Sequence, residues 1–415
     1  MRSRRIAAVA VAVAAGLTTG VVTAGAAPAD RPGVPVAREQ HARARAAVDP
    51  VASTFVPIAP RRVLDTRVTG APVGQARSVV LDLSAQTPAD ATSVVLNVTG
   101  VSPTLSTFVT VYPTGEARPI ASNLNLAPGK IRANAVVVAL SADREVTLYN
   151  NSGSTHLVVD LAGYYVAGEA KSLFNPTNPR RVLDTRSSAP VGAGRTVNVN
   201  LSSLPASATA VTFNLTGLGA TLSTFITAYP AGQARPIASN VNLPRGEIVP
   251  NQVTVQIGAS RSITLYNNSG SAHLVVDVVG YYDSGAGYPF VAFTPERAWD
   301  SRVTGPGLQP SYFVGLTGWG EETDPAAIMG VAGNLTGVNA SAAQFVSVWP
   351  GGQPKPNASS LNVVRGQIVA NAVTVGVGYE PTQGIQDRSI NFANNAGYID
   401  VIFDVAGIFV KFNDA

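Results

Sequence analysis

Short apolar runs, alternating or continuous, are broken every few positions by Gly, Pro, Asn or Ser along the chain. In the first third these runs are Val63–Arg67, Arg77–Leu83, Thr92–Thr99, Thr107–Tyr112, Ile120–Leu126, Asn134–Leu140, Glu145–Asn150 and His156–Tyr165. They are rich in Val, Thr and aromatic residues, which suit a pleated and half-buried surface. No apolar pattern of period 3.6 persists, so the elements expected are strands rather than helices. Short strands separated by turn residues predict an antiparallel sandwich or jelly roll. Leu157–Tyr165 is almost continuously apolar and reads as a central strand.

The pattern is written three times. Arg61–Arg67 (RRVLDTR) recurs as Arg180–Arg186, Thr104–Phe108 as Thr221–Phe225, Arg118–Asn123 as Arg235–Asn240, Thr147–Ser154 as Thr264–Ser271, and His156–Asp160 as His273–Asp277. The first offset is 119 residues and the others are 117. A diverged copy follows, with Arg297–Arg302 for the first motif, Asn334-Leu-Thr for Asn214-Leu-Thr, and Asp404–Gly407 for Asp277–Gly280. Its extra residues fall near Gly378–Arg388, which marks a surface loop. The organisation expected is all-β: a signal peptide (1–26), a flexible spacer (27–53), and three tandem jelly-roll-like β-sandwich modules at 54–168, 172–284 and 288–415.

Four motifs, R-x-L-D-T-R, N-V-T, V-x-x-Y-P-x-G-x-x-R-P-x-A-S-N-x-N and D-x-x-G-Y-Y, carry a resemblance. They are similar to a repeated module of actinobacterial secreted proteins, found in tandem or appended to secreted peptidases and other hydrolases. The match covers Phe55–Tyr165 and Phe174–Tyr282 closely. Phe293–Phe409 departs from it, with Trp299 for Leu, Ser301 for Thr and Gly407-Ile-Phe for Gly-Tyr-Tyr. The resemblance implies an extracellular location and a non-catalytic accessory role.

Composition sharpens this picture. Apolar residues are 46% of the chain and charged residues 13%, about half of the usual share of roughly 25%. The formal charge of +4 suggests a nucleic-acid ligand until it is placed along the chain. Arg2, Arg4 and Arg5 precede an Ala/Val run, Ile6–Ala15, and the small-residue site Ala24-Gly25-Ala26, the layout of an export signal. The spacer carries the remaining excess, with a transient helix expected at Arg38–Ala47, and residues 51–415 hold 22 basic and 22 acidic side chains. Nucleic acid is therefore not an expected partner. With no cysteine, disulfides, thiolate metal sites and a Cys nucleophile are excluded. After signal cleavage no further apolar stretch reaches spanning length, so the mature protein is expected outside the cell, secreted or held non-covalently on a surface.

Candidate chemistry is sparse. Arg62, Asp65, Arg67 and Asp160 recur as Arg181, Asp184, Arg186 and Asp277, then as Arg297, Asp300, Arg302 and Asp404. A carboxylate pair can be catalytic or hold calcium. An Asp inside an apolar strand is costly unless paired, and Arg offers a bidentate partner, so the reading taken is a structural ion-pair cluster joining first and last strands. Asn97-Val-Thr99 forms a sequon inside a predicted strand and is discounted as a glycosylation site. His156 and His273 are replaced by Asp400 in the third copy, and no H-E-x-x-H or G-x-S-x-G motif occurs. No catalytic residue, metal or cofactor is expected.

Ligand-binding candidates are aromatic and amide groups. Trp349 aligns with Tyr112 and Tyr229, and Trp319 lies beside the acidic run Glu321–Asp324. Asn123, with its counterpart Asn240, is expected to share a strand face with Asn125, where amides can meet sugar hydroxyls. These residues point to carbohydrate or cell-envelope binding, strengthened by tandem avidity. The alternatives are a structural or protein-interaction subunit with a secreted protein partner and, with least support, a secreted hydrolase.

Overall fold

The computed structural model describes residues 51–168, 171–304, 308, 327–379 and 388–411. The expected signal peptide, most of the spacer with its transient helix, Trp319 and Glu321–Asp324 lie outside the described residues. Among the described residues no helix is long and apolar enough to cross a membrane.

The first repeat contains β1 (Ser53–Asp65), β2 (Arg77–Asp82), β3 (Ala91–Val101), β4 (Thr107–Pro113), β5 (Leu124–Leu126), β6 (Ile131–Ala139), β7 (Glu145–Asn150) and β8 (His156–Ala167). They pair antiparallel as β1-β8-β3-β6 and β2-β7-β4-β5, the jelly-roll order. The inward residues of each strand alternate with outward ones. Leu96, Val98, Val159 and Leu161 of one sheet meet Val109, Val111, Val146 and Leu148 of the other in a closed core.

Two element boundaries differ from expectation. The first strand starts at Ser53 and stops at Asp65, whose carboxylate accepts the Arg67 backbone N–H and opens a single helical turn, Thr66–Thr69. The Ile120–Leu126 run is a strand only from Leu124. Pro119 lacks an N–H for pairing, and the preceding loop folds back over β4, where the Thr110 hydroxyl donates to Ala121 O at 2.8 Å.

The second repeat has the same order, with β9 (Leu173–Asp184), β10 (Arg195–Asn200), β11 (Ala208–Leu218), β12 (Thr224–Pro230), β13 (Val241–Leu243), β14 (Val249–Gln256), β15 (Ser262–Asn267) and β16 (His273–Asp283). The third has β17 (Phe290–Asp300), β18 (Ile328–Val338), β19 (Gln344–Pro350), β20 (Leu361–Val363), β21 (Val369–Gly376), β22 (Gly378–Tyr379), β23 (Arg388–Asn394) and β24 (Asp400–Val410). The Gly378–Arg388 insertion is thus partly strand. Gly378 and Tyr379 pair with Ser389 and Arg388, and β22 holds the edge place that β2 and β10 hold elsewhere.

The three repeats close around a pseudo-threefold axis, with β6, β14 and β21 packed against one another. Three amide pairs ring it: Asn134 Nδ2 donates to Asn334 Oδ1 at 2.8 Å, Asn251 to Asn97 and Asn371 to Asn214 at 2.9 Å each. Each bond crosses between repeats, in one rotational sense. Asn97, Asn214 and Asn334 in turn donate to Ser239 O, Ser359 O and Ser122 O of the next repeat. Buried amides that satisfy one another in a ring fix the relative placement of three otherwise apolar sheets.

One end of the axis is filled by Phe55, Tyr165, Phe174, Tyr282, Phe290 and Phe409. Their ring centroids lie 4.2–6.3 Å apart, and the Tyr165 and Tyr282 hydroxyls share a 2.5 Å hydrogen bond. Burial pushes both phenols above their usual range. The glycine of each D-x-x-G motif (Gly163, Gly280, Gly407) lies under the ring of Phe55, Phe174 or Phe290, where a Cβ has no room.

Candidate functional site

The Arg–Asp clusters are assembled by strand pairing. Arg62 on β1 stands opposite Asp160 on β8, beside a register shift in β1. Arg62 Nε donates to Asp160 Oδ1 at 2.6 Å, and Nη1 to Asp65 Oδ2 at 2.9 Å; Arg67 grips Asp65 at 2.6 and 2.8 Å. Arg181 meets Asp277 at 2.9 and 3.1 Å and Asp184 at 3.3 Å, with Arg186 on Asp184. Arg297 meets Asp404 and Asp300, with Arg302 on Asp300. Asp160, Asp277 and Asp404 have side chains at most 2% exposed. Burial raises their pKa above the ordinary carboxylate range, against the pull of the facing Arg. The hydrogen bonds from Arg67 and Arg186 instead hold Asp65 and Asp184 down at about 2.

The clusters also join neighbouring repeats, since Arg62 Nη2 donates to Ile237 O and Arg297 Nη2 to Ile120 O. His156 and His273 sit at the adjacent helical turns, with Nδ1 at 3.1 Å from Thr66 Oγ1 and 3.2 Å from Thr185 Oγ1. Those hydroxyls accept the backbone N–H of Leu157 and Leu274. Among the described residues, no group of three or more His, Asp and Glu is placed to hold a metal ion.

Four of the expected ligand-binding residues, Asn123, Asn240, Trp349 and Tyr229, are buried in the fold, which corrects their expected role. Asn123 lies outside the strand rather than sharing a face with Asn125. Its Oδ1 accepts the Val111 N–H at 2.7 Å, and Asn240 does the same for Ala228. Both amides are buried. Trp349 is buried, with Nε1 donating to Gln353 O at 2.9 Å across the loop that covers it. At the equivalent positions Tyr229 is buried and Tyr112 half-buried. Strand alternation puts these rings on the outer sheet face, but the following loop folds over that part of the face. Trp299 packs on Phe392 at the third core.

A second aromatic set lies on the outer sheets. In the first repeat Phe108 on β4 and Tyr149 on β7 are neighbours, half-buried as Tyr112 is, with their ring centroids 6.5 Å apart. Arg118, from the loop between β4 and β5, lays its guanidinium over the Tyr149 ring, 4.1 Å from the centroid. The second repeat repeats the arrangement with Phe225, Tyr266 and Arg235, at 6.3 Å and 4.2 Å. Pairing shows the equivalence, since Tyr149 stands opposite Thr110 and Tyr266 opposite Thr227. In the third repeat the same place, opposite Ser347, holds buried Ala393, and Lys355 aligns with Arg118. The sequence signal was available: Phe108 and Tyr149 fall at outward positions of alternating strands, and each recurs with its Arg.

Among the described residues, a cavity of about 10 Å³ lies among Asn123, Asn334 and Asp404, and one of about 30 Å³ among Arg132, Ile248 and Ile368. Neither admits a sugar ring; each is on the scale of a water molecule.

No family model and no curated protein matches the chain. Among solved structures, a chain of Sulfolobus Turreted Icosahedral Virus is similar over 87% of this chain and 92% of its own, at 10% identity and a TM-score of 0.19. A chain from the triple jelly roll and turret assembly of an archaeal virus covers 87% and 91%, at 8% identity and a TM-score of 0.18. The N-terminal CBM22-1–CBM22-2 tandem domain from Paenibacillus barcinonensis Xyn10C covers 55% and 93%, at 11% identity and a TM-score of 0.18. Likenesses this slight carry no weight for function.

Proposed function

We propose that the chain is a secreted, non-catalytic binding protein that holds carbohydrate of the cell envelope or the extracellular matrix. The observation that supports this is the half-buried aromatic pair, Phe108/Tyr149 and Phe225/Tyr266, presented at the same register of two outer sheets with an exposed arginine over each tyrosine. Flat aromatic faces on a rigid sheet stack on sugar rings at little entropic cost. The closed axis fixes the two faces relative to each other, so one polymer contacting both gains avidity. The test is retention on purified peptidoglycan, chitin and cellulose. Retention on at least one, lost in the Tyr149→Ala/Tyr266→Ala variant, is expected; retention on none refutes the reading.

A second reading is a protein-interaction subunit. It draws on Ile131, Ile248 and Ile368, exposed at equivalent positions of the three repeats. A stable oligomer without glycan affinity, dispersed by Ile248→Asp, distinguishes it.

A further inference from the structure

We infer that the two aromatic faces select an acidic polysaccharide, with Arg118 and Arg235 receiving its anionic groups. This rests on the binding reading above and adds the ligand's charge. Arg62, Arg67, Arg132, Arg181, Arg186, Arg297 and Arg302 are committed to carboxylates, and Arg61, Arg144 and Arg261 to backbone carbonyls. Arg118 and Arg235 differ. Both are exposed, and neither forms an ion pair among the described residues. Each places its guanidinium carbon over a tyrosine ring at about 4 Å, a cation–π contact that leaves its N–H groups for a ligand.

A guanidinium so placed suits a bidentate acceptor, a carboxylate or a phosphodiester oxygen pair. The neighbouring Phe108 or Phe225 offers an apolar face for the sugar that carries the acid. The contact with the ring pre-organises the guanidinium, so less side-chain freedom is lost on binding. The arrangement recurs in two repeats; in the third Phe345 keeps the place of Phe108, but the tyrosine ring is lost to Ala393 and the arginine position holds Lys355. Glu116, two residues before Arg118, is Gln233 in the second repeat, so the second face carries less competing negative charge.

The test is binding of the full protein to polygalacturonate, to a phosphodiester-linked teichoic acid, and to neutral galactan and dextran of similar length, at low and at 0.5 M salt. Tight, salt-weakened binding to polygalacturonate or to teichoic acid is expected; which of the two binds assigns the acid as carboxylate or phosphodiester. Arg118→Gln/Arg235→Gln should lower that affinity at least about tenfold, with melting temperature unchanged. Arg118→Lys/Arg235→Lys should recover it only in part, because lysine lacks the planar fork. Equal binding to neutral and acidic polymers, unaffected by the Gln variants, overturns the charge selection while leaving the binding reading intact. Binding to none of the four, nor to the insoluble glycans, overturns both.

Discussion

Asn251→Ala perturbs the axis at one point and reports on the whole body. The side chain is fully buried and makes three hydrogen bonds: Nδ2 to Asn97 Oδ1 at 2.9 Å and to Asn240 O at 2.6 Å, and Oδ1 from the Ala135 N–H at 2.9 Å. Two of these partners belong to the first repeat. Truncation removes the three bonds and leaves buried groups without partners. At about 1–2 kcal/mol for each such group, the loss is about 3–6 kcal/mol. All three tryptophans of the chain lie in the third repeat, to which none of these three bonds runs. Urea unfolding followed by both tryptophan fluorescence and far-ultraviolet circular dichroism should therefore show both midpoints falling together. A fluorescence midpoint that stays in place while the dichroism midpoint falls would refute the coupling of the repeats. A total loss below about 1 kcal/mol would refute the role assigned to the amides.

Further outcomes follow from the ion pairs and the covered aromatics. Arg62→Ala leaves Asp160 buried without its bidentate partner and should cost about 3–5 kcal/mol in chemical denaturation; a loss within the range of an exposed pair, under about 1 kcal/mol, contradicts the cluster's structural role. Asp65 and Asp184 have folded pKa values near 2, below the unfolded 3.8, so their stabilisation is present above pH 4 and lost as pH falls towards 2. Asp160, Asp277 and Asp404, raised by burial, act in the opposite direction. The stability gap between wild type and Asp65→Asn should accordingly be open at pH 6 and closed at pH 2; a gap independent of pH contradicts the assignment. Trp349→Phe loses the bond to Gln353 O and should lower the melting temperature without changing glycan retention. Lost retention with unchanged stability would restore Trp349 as a binding residue.

The strand content and the jelly-roll class were legible because period-two patterns and turn residues are local. Boundaries were less so. The sequence places β1 at Val63, but its pairing with β8 extends the strand back to Ser53, where Ser53–Pro57 gain partners from residues more than a hundred positions away. The amides show the limit most clearly. Asn134 reads as one more strand or turn amide, because its partners, Asn334 and the Ala372 N–H, are 200 and 238 residues distant and belong to another repeat. Asn123 and Trp349 fail as ligand groups for a related reason. Alternation tells which sheet face a side chain takes, and says nothing about a loop folding over that face. Phe108, Tyr149 and Arg118 escaped notice because each alone is ordinary; only strand pairing and the returning loop bring them together.

The claim that the first two outer sheets carry the binding is tested most directly by stoichiometry. Calorimetric titration with tetragalacturonate, and with chitotetraose and cellotetraose beside it, should give two sites per chain for whichever oligosaccharide binds. That count should fall to one in Tyr149→Ala and to none in Tyr149→Ala/Tyr266→Ala. One or three sites in the wild type, or a count unmoved by the substitutions, would contradict the account.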